Sequence, residues 1–250
     1  MSDGPVAAID PWRALREATR ARVALGRSGA ALPTRALLAF ELDHARARDA
    51  VHRALDVARI DETLRRLGFA TLSVESAAGD RTSFLLRPDL GRRLSDASVA
   101  RLGVGQAGCD VLVVLADGLS AEGVERHAVP VIEAMRPLLE GLSIGPIVIA
   151  TQARVALGDA VGAALNARLV VMLIGERPGL TSPDSVGAYL TFEPRVGRHD
   201  AERNCVSNIR PEGLTPATAA AKIAWLVRTA LRRSLSGVAL KDESSNDRLE

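Results

Sequence analysis

Two stretches of the chain concentrate the side chains that bind and orient ligands. The first is Leu173-Ile-Gly-Glu-Arg-Pro-Gly-Leu180, continuing to Gly187, where a carboxylate and a guanidinium follow an apolar run and are set among prolines and glycines. Such a backbone is rigid yet lets a large ligand approach closely. The second is Arg198 to Ile209, where charged and amide groups cluster around Cys205. Asp117-Gly118 is a third candidate: it closes another apolar run, either as a turn with Ser120 capping the next helix or as a group facing a ligand. Other patterns carry less. Gly103, Gly105 and Gly108 spell G-x-G-x-x-G, but a dinucleotide fingerprint must follow a strand and open a helix, and here the glycines close a helix and lead into a strand. The four histidines and two cysteines show no metal spacing, and no serine sits in a G-x-S-x-G elbow. His44 and His52 share a helix face with Asp43 and Asp49 nearby, which reads as a solvated or interfacial charge cluster.

The elements that must position these groups change in character near Gly68. Before it the chain reads as helix: one from Asp10-Pro11 to about Val23, one capped by Thr34 and running to about Ala54, and one from Ile60 to Leu67. After it, Thr71–Glu75 and Thr82–Leu86 read as strands joined by the turn Ala78-Gly79-Asp80. The runs 110–116, 146–150 and 168–174 are apolar throughout, as in strands buried on both faces of a parallel sheet. Between them lie a helix from Ser120 to Leu139, kinked or restarted at Pro130, and a short crossover over 154–167. Strands over 188–192 and 206–209 follow, then a long helix from Thr215-Pro216 to about Ser234. The expected architecture is α/β: a Rossmann-like open, mainly parallel sheet flanked by helices, with a helical N-terminal region. In this division residues 1–68 are the helical region, 69–240 the α/β domain and 241–250 a frayed tail. Ligands of open α/β sheets sit beyond the carboxyl ends of the strands, which directs attention to the loops at 117–120, 151–155 and 175–180 and around Cys205.

Composition narrows the function classes. The chain has 250 residues, 47% hydrophobic and 25% charged, with a net charge of +2, the balance of an ordinary globular protein with no field drawing it to nucleic acid or membrane. Lys222 and Lys241 are the only lysines, which leaves thirty arginines, suited to planar pairing with carboxylates at surfaces and interfaces. Arg13, Arg16, Arg20, Arg22 and Arg27 form either a solvated face or a dock for an acidic partner. Aromatics at 3% are too few for a base-stacking platform. Two cysteines make no disulfide scaffold. No run reaches a membrane span, and the start lacks the pattern of a signal peptide. The expectation is a cytoplasmic protein.

The runs at 173–180 and Asn204-Cys-Val-Ser-Asn-Ile209 resemble the small (light) subunit of ethanolamine ammonia-lyase. Ala24-Leu-Gly-Arg-Ser-Gly29, Leu32–Leu38, Asp43–Asp49, Arg87–Leu94 and Asp117–Ser120 fit the same family in order, so the likeness covers most of the chain. It implies a lyase that uses adenosylcobalamin to convert ethanolamine to acetaldehyde and ammonia by a radical rearrangement. It also implies a large subunit that holds the substrate in a barrel, while the small subunit covers the cobalamin from the other side and supplies no catalytic residue. On this resemblance residues 1–68 are the large-subunit docking region, and three cobalamin-contacting positions of the family fall on Val155, Glu176 and Cys205. Val155 and Glu176 then lie after strands expected to be adjacent, and Cys205 opens the strand after the charged loop. Glu176 would accept from a side-chain amide of the cofactor, Val155 would supply apolar contact, and Cys205 would pack without ligating cobalt. No Asp-x-His-x-x-Gly occurs, which fits base-on binding with no cobalt ligand from this chain. The longer N-terminal extension of some relatives, associated with bacterial microcompartments, is expected to be lacking, so packaging stays open. The residues alone keep two other readings: a self-contained Rossmann-like enzyme acting on a nucleotide or small acid with Asp117 or Glu176 as base, and a pure assembly protein.

Overall fold

The computed structural model describes residues 10–103 and 108–244. Along the chain come α1 (Arg13–Ala18), α2 (Thr34–His52), α3 (Val57–Arg66), β1 (Thr71–Glu75), α4 (Arg81–Leu86), α5 (Asp96–Leu102), β2 (Cys109–Ala116), α6 (Ala121–Gly123), α7 (Val129–Met135), β3 (Ile147–Thr151), α8 (Leu157–Ala164), β4 (Ala167–Gly175), β5 (Val186–Phe192), β6 (Arg203–Ile209) and α9 (Pro216–Arg233). Of the glycine pattern, Gly103 ends α5 and Gly108 precedes β2; residues 104–107 lie outside the described residues, as do 245–250 of the expected tail.

The six strands form one sheet in the order β1-β3-β2-β4-β5-β6. The first four are parallel, while β5 and β6 pair antiparallel, so the sheet is mixed where a mainly parallel one was expected. The reason is connection length. Ten residues without an α-helix join β4 to β5, and ten join β5 to β6, whereas a parallel return needs a longer crossover. The order also corrects the expectation that the strands before Val155 and Glu176 are neighbours: β2 lies between β3 and β4.

Alternation along β2 divides the core. Val111, Val113 and Leu115 face a layer that includes Ile60 and Leu64 of α3, Val131 and Ile132 of α7 and Ile223 and Leu226 of α9. Leu112, Val114 and Ala116 face Leu102 of α5 and Leu157 and Val161 of α8. With helices on both faces, a central strand is apolar at nearly every position; in β2 the exception is Asp110 near its start, half-buried and paired with Arg168. Each fully buried Leu, Ile or Val stabilises the fold by roughly 1.5–3 kcal/mol.

Local chemistry sets the helix starts. Asp56, Asp80, Ser95, Ser120 and Thr215 each accept from the backbone N–H three residues on. At Asp80 this overturns the expected strand at 82–86. Its carboxylate accepts from Ser83 N at 2.9 Å and Ser83 Oγ at 2.7 Å, and the capped turn buries Phe84 as part of α4. The first helix is shorter than expected, because α1 buries no residue and Thr19 is extended; a helix this short is not held by its own hydrogen bonds. Thr34 is the first residue of α2 rather than its cap, which is Pro33. Pro130 acts as expected. It cannot donate to the carbonyl four residues back, and Val124–Ala128 widen into a π-turn before α7 resumes. Among the described residues no helix is long and apolar enough to cross a membrane.

Candidate functional site

Three loops meet at the carboxyl edge of the parallel strands. Asp117 follows β2 and its side chain is 3% exposed. Oδ2 accepts from Gln152 N at 2.9 Å and Oδ1 from Ala153 N at 3.0 Å, so this carboxylate anchors the loop after β3. Arg81 of α4 donates to Oδ2 at 3.2 Å and to the Val51 carbonyl at 2.6 Å. Burial raises the Asp117 carboxyl above its usual range, and the two amides and Arg81 pull against it. Burial likewise lowers the Arg81 guanidinium. Both carboxylate oxygens are committed to the backbone, so Asp117 fits the turn reading, and Ser120 does cap α6. The Asp117-to-Ser120 loop lies directly on the end of β4. Leu119 N donates to the Gly175 carbonyl at 2.9 Å. A Cβ on Gly175 would stand 2.1 Å from the Ser120 carbonyl oxygen, so glycine is required by the close approach.

Beside these loops opens a cavity of about 410 Å³, whose walls include Leu119, Val155, Ile174, Glu176, Arg177 and Tyr189. A second cavity of about 570 Å³ shares Arg154, Val155, Arg177 and Tyr189 and extends to Arg92 and His199. Val155 is half-buried against the α8 side of the core. Glu176 is half-buried and accepts from Asn208 N at 3.1 Å and 3.2 Å through its two oxygens, which ties the β4 end to the β6 end. Cys205 is exposed, 3.2 Å from Ser207 Oγ, and sits opposite Tyr189 in the β5–β6 register. The structure thus brings Val155 and Glu176 to one cavity, and joins Cys205 to it through Tyr189.

Sequence reasoning passed over several residues here. Tyr189, the single tyrosine of the chain, stands at the junction of both cavities; burial raises its hydroxyl, with Cys205 the next cause. Its uniqueness was the available signal. Arg154 sits with its guanidinium 4.2 Å from the Phe84 ring centroid, and Arg81 is 4.8 Å from the same centroid. Burial, then repulsion from Arg81, Arg177 and Arg92, lowers Arg154 below the ordinary arginine range. No periodicity announces a cluster assembled from four separate loops and helices.

Fold and site together define an α/β protein with a basic, ligand-sized recess at the carboxyl edge of its parallel strands. The family model for the ethanolamine ammonia-lyase light chain (EutC) matches residues 9–241. The chain is 55% identical over 250 residues to a protein of Bradyrhizobium diazoefficiens named ethanolamine ammonia-lyase small subunit, covering 98% of this chain and 95% of that one. Proteins of the same name from Azotobacter vinelandii and Rhodopseudomonas palustris are 53% and 56% identical, covering 100% and 96% of this chain and 95% and 93% of theirs. The chain belongs to the ethanolamine ammonia-lyase light-chain family.

Proposed function

We propose that this chain is the small subunit of an adenosylcobalamin-dependent ethanolamine ammonia-lyase, a lyase that degrades ethanolamine, and that it covers base-on cobalamin at its interface with the large subunit. Membership of the family carries the assignment, and the meeting of Val155, Glu176 and Tyr189 at one recess supports the place of contact. The residues present suit such a ligand. Leu119, Ile174 and Val155 offer an apolar wall to a ring system, while Glu176 and the Tyr189 hydroxyl offer an acceptor and a donor to peripheral amides. The cofactor, when bound, supplies the radical chemistry. This chain's part is to hold the rim, exclude water from that side and ligate no cobalt, and the site of action is cytoplasmic.

The deciding experiment measures ethanolamine-dependent acetaldehyde formation with adenosylcobalamin for this chain, the large subunit, and the two mixed. Activity in the mixture alone is the expected result; activity of this chain alone, or activity indifferent to it, refutes the assignment. Within the complex, Glu176→Ala should raise the dissociation constant for cobalamin about tenfold, the worth of one hydrogen bond of roughly 1.4 kcal/mol. Glu176→Gln keeps an acceptor for Asn208 N and should fall between it and wild type. Equal affinity in all three would remove Glu176 from the contact.

Docking of the large subunit is assigned to the N-terminal arm. Seven exposed large apolar side chains lie between Trp12 and Leu42, and Ala50 is the one buried residue of α2. Half of the arm's arginines are paired within the chain, Arg13 with Glu17, Arg16 with Asp10, and Arg22 and Arg46 with Asp43, which leaves, among the described residues, fewer free charges than exposed apolar side chains. Apolar contact is therefore the stronger candidate for the dock than charge. Leu38 and Leu42 stand one helical turn apart, 58% and 52% exposed. Leu38→Asp with Leu42→Asp should weaken association with the large subunit at least tenfold and leave circular dichroism unchanged. Undiminished copurification of the double variant would place the interface elsewhere.

A further inference from the structure

The larger cavity holds guanidinium groups of two kinds. Arg203 is bound to Asp159, and Arg198 to Glu202 and to the Phe192 and Glu193 carbonyls. The side chains of Arg92 and Arg177 are exposed and make no ion pair or hydrogen bond among the described residues. Arg154, close enough to feel both charges, has its guanidinium hydrogen-bonded only to the Phe84 carbonyl at 3.4 Å, and its buried Nε has no partner. Arg81 behind it also leaves Nη2 buried without one. The carboxylate that acts on Arg154 is Asp117, whose oxygens are already taken by Gln152 N, Ala153 N and Arg81; of the other carboxylates lining the two cavities, Asp200 faces Arg203 at 3.4 Å and Glu176 is bound to Asn208 N. In a chain whose arginines are mostly paired with carboxylates or carbonyls, like charges gathered round a recess with unused donors lack a counter-anion.

We propose that Arg92, Arg154 and Arg177 form an anion seat for a phosphodiester, and that, on the cofactor reading above, it receives the phosphate of the cobalamin nucleotide tail. Planar guanidinium forks match the oxygens of a phosphate, and several of them share its charge better than one can. The position selects the ligand. Arg154, Val155, Arg177 and Tyr189 line both cavities, so an anion held here is continuous with whatever lies against Val155 and Glu176. The phosphodiester is the one negative charge on the periphery of cobalamin. A carboxylate of the large subunit could also answer the charge, and the test separates the two.

The complex of both subunits is titrated with hydroxocobalamin and with cobinamide, which lacks the nucleotide and its phosphate, and binding is followed by visible absorbance. The variants are Arg92→Met, Arg177→Met and the pair. Both positions are exposed, so folding is expected to survive, with circular dichroism and subunit copurification as controls. Each substitution should weaken hydroxocobalamin binding about tenfold, as for one charge-assisted hydrogen bond, and leave cobinamide within twofold of wild type. Equal weakening of both ligands, or weakened copurification of the subunits, overturns the phosphate seat in favour of a wall-positioning or subunit-docking role. Unchanged binding of both ligands overturns it outright. A wild-type complex that binds neither corrinoid fails the cofactor reading itself, a result distinct from failure of the seat.

Discussion

Asp159→Ala should cost the folded protein about 3–5 kcal/mol, the effect of stranding one member of a buried ion pair. Arg203 and Asp159 are each 2% exposed in their side chains. The guanidinium is held on both arms: Nη1 donates to Asp159 Oδ1 at 2.6 Å and Nη2 to Oδ2 at 2.7 Å. Thr191 Oγ1 and the Arg198 carbonyl accept further bonds at 2.9 Å each. Burial works against the charge on Arg203 and the bonds to Asp159 outweigh it; a guanidinium keeps its proton even without a partner, so the cation persists, unpaired and buried, when Asp159 is removed. Asp159 also lies in the first turn of α8, where the helix dipole favours a negative charge. For a chain of this length the loss corresponds to a fall in melting temperature on the order of 10 °C. Asp159→Ala combined with Arg203→Met should recover much of it, since no charge is then left unpaired. A single variant within about 1 kcal/mol of wild type would show that water reaches the guanidinium. The pair also serves the site: it ties the strand that carries Cys205 to the helix that follows Val155.

Asp117→Ala should lose about 3 kcal/mol and weaken cobalamin binding with it. Two backbone N–H groups, those of Gln152 and Ala153, lose their acceptor, and Arg81 loses its carboxylate; a buried donor left without a partner costs roughly 1–3 kcal/mol. The loop so released carries Arg154 and Val155, which line both cavities. Asp117→Asn keeps one acceptor oxygen and should fall between the two in denaturant unfolding and in corrinoid titration. A destabilised variant with unaltered affinity would mean that the loop keeps its place without this anchor.

The parts of the fold legible in the sequence are those whose environment is uniform along the element. The central strands β2, β3 and β4 are buried on both faces, so their residues form continuous apolar runs, and α9 shows its cap and its periodicity together. Segments where a local bond competes with propensity were not legible: bulky residues at 82–86 favour a strand, yet Asp80 caps a helix there. Of the candidate site, Glu176 and Cys205 stood in dense polar text, whereas Val155 lay in a loop marked only by its place after a buried strand and was singled out by family resemblance. Arg177 stood beside Glu176 in the same stretch and Tyr189 was marked only by being the single tyrosine, while Arg92 and Arg154 carried no pattern that joined them to either.

By itself the sequence determined the family, through ordered segments that only a shared ancestor explains, together with the α/β class and the loops that end its buried strands. Only the tertiary structure decided which loops become neighbours. Strand order depends on crossovers, and a helix passing over the sheet leaves no mark in sequence of how many strands it skips; that is how β2 comes to lie between β3 and β4. Likewise, the pairing of Arg203 with Asp159, and the gathering of Arg92, Arg154 and Arg177 at one recess, are properties of distance in space. Charge interactions act over a few ångströms whatever the separation along the chain, so no window of sequence contains them.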